Sequence, residues 1–235
     1  MIELHDFSIG YGERTLLCEV EATIEKGKLT ALIGRNGTGK STLLRAIAGL
    51  NHRYAGRILL DGHNAADMRV VERARTLAFV TTERTRIANL KCEDVVAIGR
   101  APYTNWIGRM QKADTEIVMR SLASVGMEDY AERTMDKMSD GECQRIMIAR
   151  ALAQSTPIIL LDEPTSFLDM PNRYELCTLL ARLAHEENKC ILFFHSRAGY
   201  RPVAHRCDSP YRPALPVVPA DRRDAPERLH RTAVP

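Results

Sequence analysis

The chain has 235 residues, 45% hydrophobic and 27% charged, which suits one or two water-soluble domains with a sizeable core. Its net charge of +3 comes from the C-terminal end, where eight Arg, four acids and no Lys follow from His195 onward, so no basic nucleic-acid surface is read. No apolar run reaches the roughly 18 residues of a membrane span, Met1 leads straight into a strand-like run without a signal-peptide pattern, and the six cysteines hold no C-x-x-C pair, as in a reducing compartment.

In chain order, Ile2 to Ile9 alternates loosely and predicts a strand, followed by Tyr11 between Gly10 and Gly12. Leu16 to Ile24 predicts a second strand, and Glu25-Lys26-Gly27-Lys28 a turn. Leu29 to Ile33 is a short apolar strand, and Thr42 to Ala48 a helix stopped by Gly49 and Asn51. Gly56 to Leu60 predicts a strand closed by Asp61-Gly62, Arg69 to Arg75 a helix, and Thr76 to Thr82 a strand. From Cys92 to about Asp136 the spacing turns helical, with apolar groups at Val95, Val96, Ile98 and at Ile117, Val118, Leu122, Val125. This is a helical insert within an α/β frame. Ser139 to Gln154 predicts a helix, capped by Ser139 with Glu142 three residues on. Ile158 to Leu161 is an apolar strand, Tyr174 to Glu187 an amphipathic helix, and Cys190 to Phe194 one more buried strand.

Between the third strand and the first helix lies Gly34-Arg35-Asn36-Gly37-Thr38-Gly39-Lys40-Ser41. It fits the phosphate-loop pattern G-x-x-x-x-G-K-[ST], in the strand–loop–helix context that pattern needs. The glycines let backbone N–H groups turn inward as an anion nest, and the helix N-terminus adds positive potential. Lys40 would reach the β/γ-phosphates of a nucleotide, Ser41 would hold Mg²⁺, and Thr42 continues the cradle. Downstream, the apolar strand ends in Asp162-Glu163, at the strand end where α/β sheets bind ligands. Asp162 suits a Mg²⁺ partner and Glu163 a general base for water.

Ser139-Asp140-Gly141-Glu142-Cys143-Gln144-Arg145, between those two motifs, resembles the signature segment of the ATP-binding-cassette (ABC) ATPases, with Asp140 at the first glycine. Ser166-Phe167-Leu168-Asp169 resembles that family's interface-crossing loop, and Tyr11 its adenine-stacking aromatic. Gly99-Arg100-Ala101-Pro102-Tyr103, with Trp106 and Gly108, looks like a segment of the iron-chelate and cobalamin uptake members. The resemblance covers about residues 1 to 194. It implies an α/β P-loop NTPase of ABC-ATPase fold, with an N-terminal antiparallel β subdomain, a RecA-like core and a helical subdomain at about 92–136 that meets a permease. The expected activity is ATP hydrolysis with ATP and Mg²⁺ as cofactors. Ser139, Gly141 and Asp169 would contact nucleotide bound by the opposite copy of a homodimer. Permease subunits and a periplasmic or lipoprotein binding protein would complete an importer of an iron chelate, haem or cobalamin, with this chain peripheral on the cytoplasmic membrane face and no nucleic acid involved. The alternatives are a soluble cassette protein without a permease, or a chain that binds ATP and hydrolyses it poorly.

Two departures bear on that last alternative. Thr82 stands where the family places a glutamine beside Mg²⁺, with Glu83 next to it. Ser196 stands where the family's γ-phosphate-sensing histidine falls, and His195 comes one residue early, on the other face of an alternating strand. Beyond Phe194 seven of the eleven prolines crowd the last 41 residues, and neither periodicity persists. Residues 195–235 are therefore expected to be irregular, either disordered or the product of a frameshift. Removal of one base from the Phe194 codon permits the continuation Ser-Thr-His-Glu, which sets a histidine at position 196.

Overall fold

A computed structural model describes residues 1–11, 14–34, 37–82, 88–104, 109–166, 168–196 and 217–219. The first layer is an antiparallel sheet of order β2-β1-β4-β5, built from β1 (Ile2–Tyr11), β2 (Arg14–Ile24), β4 (Tyr54–Leu60) and the two-residue β5 (His63–Asn64). Ile2, Leu4, Phe7 and Ile9 of β1 are buried. A register shift between Leu4 and Phe7 breaks strict alternation and keeps both on the core side.

The second sheet has order β6-β7-β8-β3-β9. Its strands are β3 (Leu29–Gly34), β6 (Leu77–Val80), β7 (Ile158–Leu161), β8 (Cys190–Ser196) and β9 (Val217–Pro219). β6, β7, β8 and β3 run parallel, which explains their near-continuous apolar sequences, since both faces are covered. One face, with Leu32, Leu160, Leu192 and Phe194, packs on helix α1 (Lys40–Ile47) and the antiparallel sheet. The other, with Ala31, Val80, Leu161 and Phe193, packs on α3 (Cys92–Ala97), α4 (Lys112–Ser124), α5 (Asp140–Ala153) and α6 (Met170–Glu186). The short α2 (Val70–Thr76) precedes β6 and buries none of its residues.

This is the α/β architecture expected of the ABC-ATPase fold, including the helical insert, which comprises α3, α4 and three 3₁₀ turns. Several details differ from the sequence reading, among them the start of α6 at Met170 rather than Tyr174. β8 runs two residues past Phe194, because His195 and Ser196 still pair with Ile33 and Gly34 of β3. β5 has no signal in a two-residue segment. Within the tail, read from sequence as irregular, Val217–Pro219 lies antiparallel on the outer edge of β3. Cys92, Cys143, Cys177 and Cys190 are free thiols, whereas Cys18 is disulfide-bonded. That departs from the wholly reduced cysteines the spacing suggests.

Candidate functional site: a phosphate loop at the carboxyl ends of β3 and β7

β3 delivers Gly34 to the carboxyl edge of the parallel sheet, and α1 leaves that edge at Lys40. Gly37 and Gly39 both have positive φ, at 79° and 89°, so the chain curls with its amides inward. Gly39 is the N-cap of α1 and no side chain caps that end, which leaves the first-turn N–H groups of the helix to an anion. Arg35 and Asn36, the remaining loop residues expected to touch nucleotide, lie outside the described residues. Thr42 sits in the first turn of α1.

The Lys40 side chain folds back over Gly34: a Cβ there would lie 3.2 Å from Lys40 Cδ and 3.1 Å from Thr38 Oγ1. A side chain at position 34 would press on the lysine stem and on the Thr38 hydroxyl. Its Nζ donates to Thr38 Oγ1 at 3.0 Å and stands 4.2 Å from the centre of the Phe194 ring. Burial lowers the Lys40 pKa to about 8, with the charges of Glu163 and Asp162 pulling it partly back.

Ser41 Oγ donates to Asp162 Oδ1 at 3.1 Å. β7 brings Asp162 there, and the Asp162 N–H donates to the Val80 carbonyl at 2.9 Å, so the β6–β7 ladder extends to the site. Burial pushes the Asp162 carboxyl above its usual range; the Ser41 bond opposes this and the neighbouring Glu163 charge adds to it. Thr82, at the end of β6, donates its hydroxyl to the Asp162 carbonyl at 3.0 Å. Thr82 is therefore beside Asp162, with its hydroxyl engaged on backbone. The pair Ser41–Asp162 offers hard oxygen donors of the kind Mg²⁺ takes, one carboxylate and one hydroxyl, with the rest of the shell left to waters and phosphate. A divalent cation would also relieve the raised Asp162.

Glu163 has φ of 49°, a left-handed conformation strained for a residue with a Cβ. That turn aims its carboxylate away from the strand line, and Ser166 Oγ donates to Glu163 Oε2 at 2.8 Å. Sequence reading missed Ser166 as the holder of Glu163, because the contact depends on the turn at Glu163. On β8, Phe194 lies on the face of the phosphate loop, while the next residue, His195, has its Nδ1 3.1 Å from Thr165 Oγ1. The predicted displacement of His195 from the phosphate side is thus what the strand shows.

Ser139 caps α5, accepting the Glu142 N–H at 3.3 Å while Glu142 Oε2 accepts the Ser139 N–H at 2.7 Å. α5 packs on the face of the parallel sheet opposite α1. A Cβ at Gly141 would lie 3.6 Å from Leu168 Cδ2, which places the start of α5 beside the segment after Glu163. Asp169 ends that segment as the N-cap of α6, accepting the Asn172 N–H at 3.0 Å. The Tyr11 side chain, Phe167, Glu83, Trp106, Gly108 and the Ser196 side chain lie outside the described residues.

The family model for the ABC transporter matches residues 17–166. An ABC transporter ATP-binding protein of Methanocaldococcus jannaschii, itself uncharacterised, is 42% identical over 192 residues, 82% of this chain and 66% of that protein. The iron(3+)-hydroxamate import ATP-binding protein FhuC of Bacillus subtilis is 37% identical over 191 residues, 81% of this chain and 71% of that protein. Among solved structures, a transporter assigned to the metal-chelate type, in an inward-facing conformation, superposes with a TM-score of 0.72 at 28% identity, over 83% of this chain and 73% of that one. A dimeric bacterial ABC transporter cassette, MJ0796, does so with a TM-score of 0.71 at 27% identity, over 84% and 88%. The chain belongs to the ABC transporter ATPase family.

Proposed function

We propose that this chain binds and hydrolyses ATP as the nucleotide-binding subunit of an importer for an iron chelate. The observation that carries the reading is the Ser41–Asp162 contact of 3.1 Å directly beside Lys40, which joins the two halves of a phosphate-and-metal site from distant parts of the chain. Residues Gly34, Arg35, Asn36, Gly37, Thr38, Gly39 and Thr42 would cradle the phosphates, with Tyr11 against the adenine. Ser41 and Asp162, with Thr82 behind, would hold Mg²⁺, which supplies charge stabilisation at the β/γ-phosphates. Glu163, fixed by Ser166, accepts a proton from the attacking water as its oxygen bonds to the γ-phosphorus and the bond to the ADP oxygen breaks. Ser139, Gly141 and Asp169 would face the nucleotide of a second copy. The solved dimeric cassette supports that arrangement. Iron-hydroxamate import by a relative supports the chelate end of the cargo range, with haem and cobalamin the further members. Permease subunits would dock on the helical insert at about 92–136, a binding protein would deliver cargo, and the chain would sit on the cytoplasmic membrane face. Residues 1–194 would be the ATPase domain and 195–235 a tail, frameshifted or native.

A second reading has its own observation. His195 contacts Thr165 on the face away from the phosphates, so the chain binds ATP with weak turnover. One pair of variants tests both. Lys40→Ala is expected to weaken ATP binding about 10- to 150-fold, as for a lost charge-assisted contact of roughly 1.5–3 kcal/mol. Glu163→Gln is expected to keep ATP affinity, abolish phosphate release and trap an ATP-bound dimer in light scattering. Unchanged ATP affinity in Lys40→Ala sinks the binding site; no phosphate release from wild type selects the second reading.

A further inference from the structure

The geometry points to Phe194 as a positioning residue that pre-orders the Lys40 ammonium for the nucleotide phosphates, an inference that rests on the phosphate-site reading above. Lys40 and Phe194 lie far apart in sequence. The parallel register of β3 and β8 pairs Leu32 with Phe194, two residues before Gly34, and so seats the ring under the mouth of the loop. The ring is 2% exposed, and Lys40 Nζ stands 4.2 Å from its centre. At that distance over a desolvated aromatic face, an ammonium is attracted by the ring quadrupole. Thr38 Oγ1 takes one N–H of the same ammonium at 3.0 Å. The long lysine stem is thereby held against a floor and a side wall before any ligand arrives, which lowers the ordering cost of binding. A carboxylate at this place would compete with phosphate for the lysine. A π face does not, because it has no lone pair to surrender and holds one side of the ammonium while the N–H groups on the other turn to the ligand.

Phe194 also belongs to the core formed with Leu32, Leu43 and Leu192, so the test must separate packing from positioning. Phe194→Met keeps an apolar side chain of similar volume and removes the ring; Phe194→Tyr keeps the ring. Binding of ATP with Mg²⁺ is measured by calorimetry for wild type, Phe194→Met, Phe194→Tyr, Lys40→Ala and Phe194→Met combined with Lys40→Ala, with thermal unfolding as the fold control. The expected result is ATP binding weakened about three- to thirtyfold by Phe194→Met, near wild-type binding in Phe194→Tyr, and no further weakening when Phe194→Met is added to Lys40→Ala. Wild-type affinity in Phe194→Met, or the same weakening with and without Lys40, overturns the inference and leaves Phe194 a core residue. Should Phe194→Met fail to fold, Phe194→Leu replaces it in the same cycle. Wild-type ATP affinity in Lys40→Ala is a different failure: it removes the phosphate-site reading itself, and this inference with it.

Discussion

Burial of the Lys40 ammonium lowers its pKa from 10.5 to about 8, and that shift has a sign at two levels. For folding, the unfolded amine holds its proton up to 10.5. Between pH 8 and that value the unfolded chain therefore binds more protons, and the group's contribution to stability rises with pH. Below pH 8 the folded protein bears the cost of a charged, desolvated lysine. For binding, the anionic phosphates favour the ammonium and raise its pKa again. ATP affinity is accordingly expected to be independent of this group below pH 8. Above it, affinity should fall by up to about tenfold per pH unit. Calorimetry at about pH 8.5 in buffers of different ionisation heat should show proton uptake on ATP binding, and Lys40→Ala should lose that uptake. The places of Lys40, Ser41, Asp162 and Glu163 were legible in sequence because spacing within one loop and position at a strand end constrain them. Ser166 on Glu163 and the backbone acceptor of Thr82 were not, because they depend on the turn at Glu163 and on the register of β6 with β7.

The 3₁₀ segment Ile98–Tyr103 shows at the scale of an element what an apparently ordinary loop conceals. Gly99 lies so close to α5 that a Cβ would fall 2.2 Å from the Arg150 carbonyl. Arg100 turns inward, donating to Asp114 Oδ1 at 2.9 Å, to the Ala153 carbonyl at 2.8 Å and to Ser155 Oγ at 3.1 Å. Tyr103 sits between the Arg100 and Arg75 guanidiniums. The segment is thus fastened to the C-terminal end of α5, whose N-terminal end carries Ser139 and Gly141. Arg100→Met is expected to cost about 3 kcal/mol in urea unfolding, because it leaves a buried carboxylate without its cation. Gly99→Ala is expected to cost about 1–3 kcal/mol for overpacking against backbone. Hydrogen bonds from the Gln111 amide and then Arg100 hold the Asp114 carboxyl below its ordinary range. Its contribution is therefore present above the unfolded pKa and lost as pH falls through the folded one. The sequence marked this stretch through Gly99, Arg100 and Pro102, but nothing in it said that the arginine points inward.

At the scale of the whole molecule, β8 decides what the carboxyl edge of the sheet can do. Strand alternation sends Phe194 to the phosphate side and Phe193, with His195 after it, to the helical side. The backbone of position 196 pairs with Gly34 at the opening of the loop, the position at which the family resemblance expects a γ-phosphate-sensing histidine. Ser196→His is expected to raise phosphate release by about tenfold or more, as restored transition-state electrostatics do, with ATP affinity changed little. Equal turnover in both proteins would show that position 196 does not limit hydrolysis.

The sequence by itself determined the phosphate loop, the Asp162-Glu163 strand end, the helical insert and the capping box of α5. Each is written in spacing over fewer than a dozen neighbouring residues or in a run of one period. Only the tertiary structure decided that Ser41 meets Asp162, that Thr165 meets His195 and that Phe194 lies under Lys40. Those contacts arise from the order of β6, β7, β8 and β3 and from their parallel register. Register joins residues by position across a sheet, and no local pattern along the chain encodes which strand will be the neighbour.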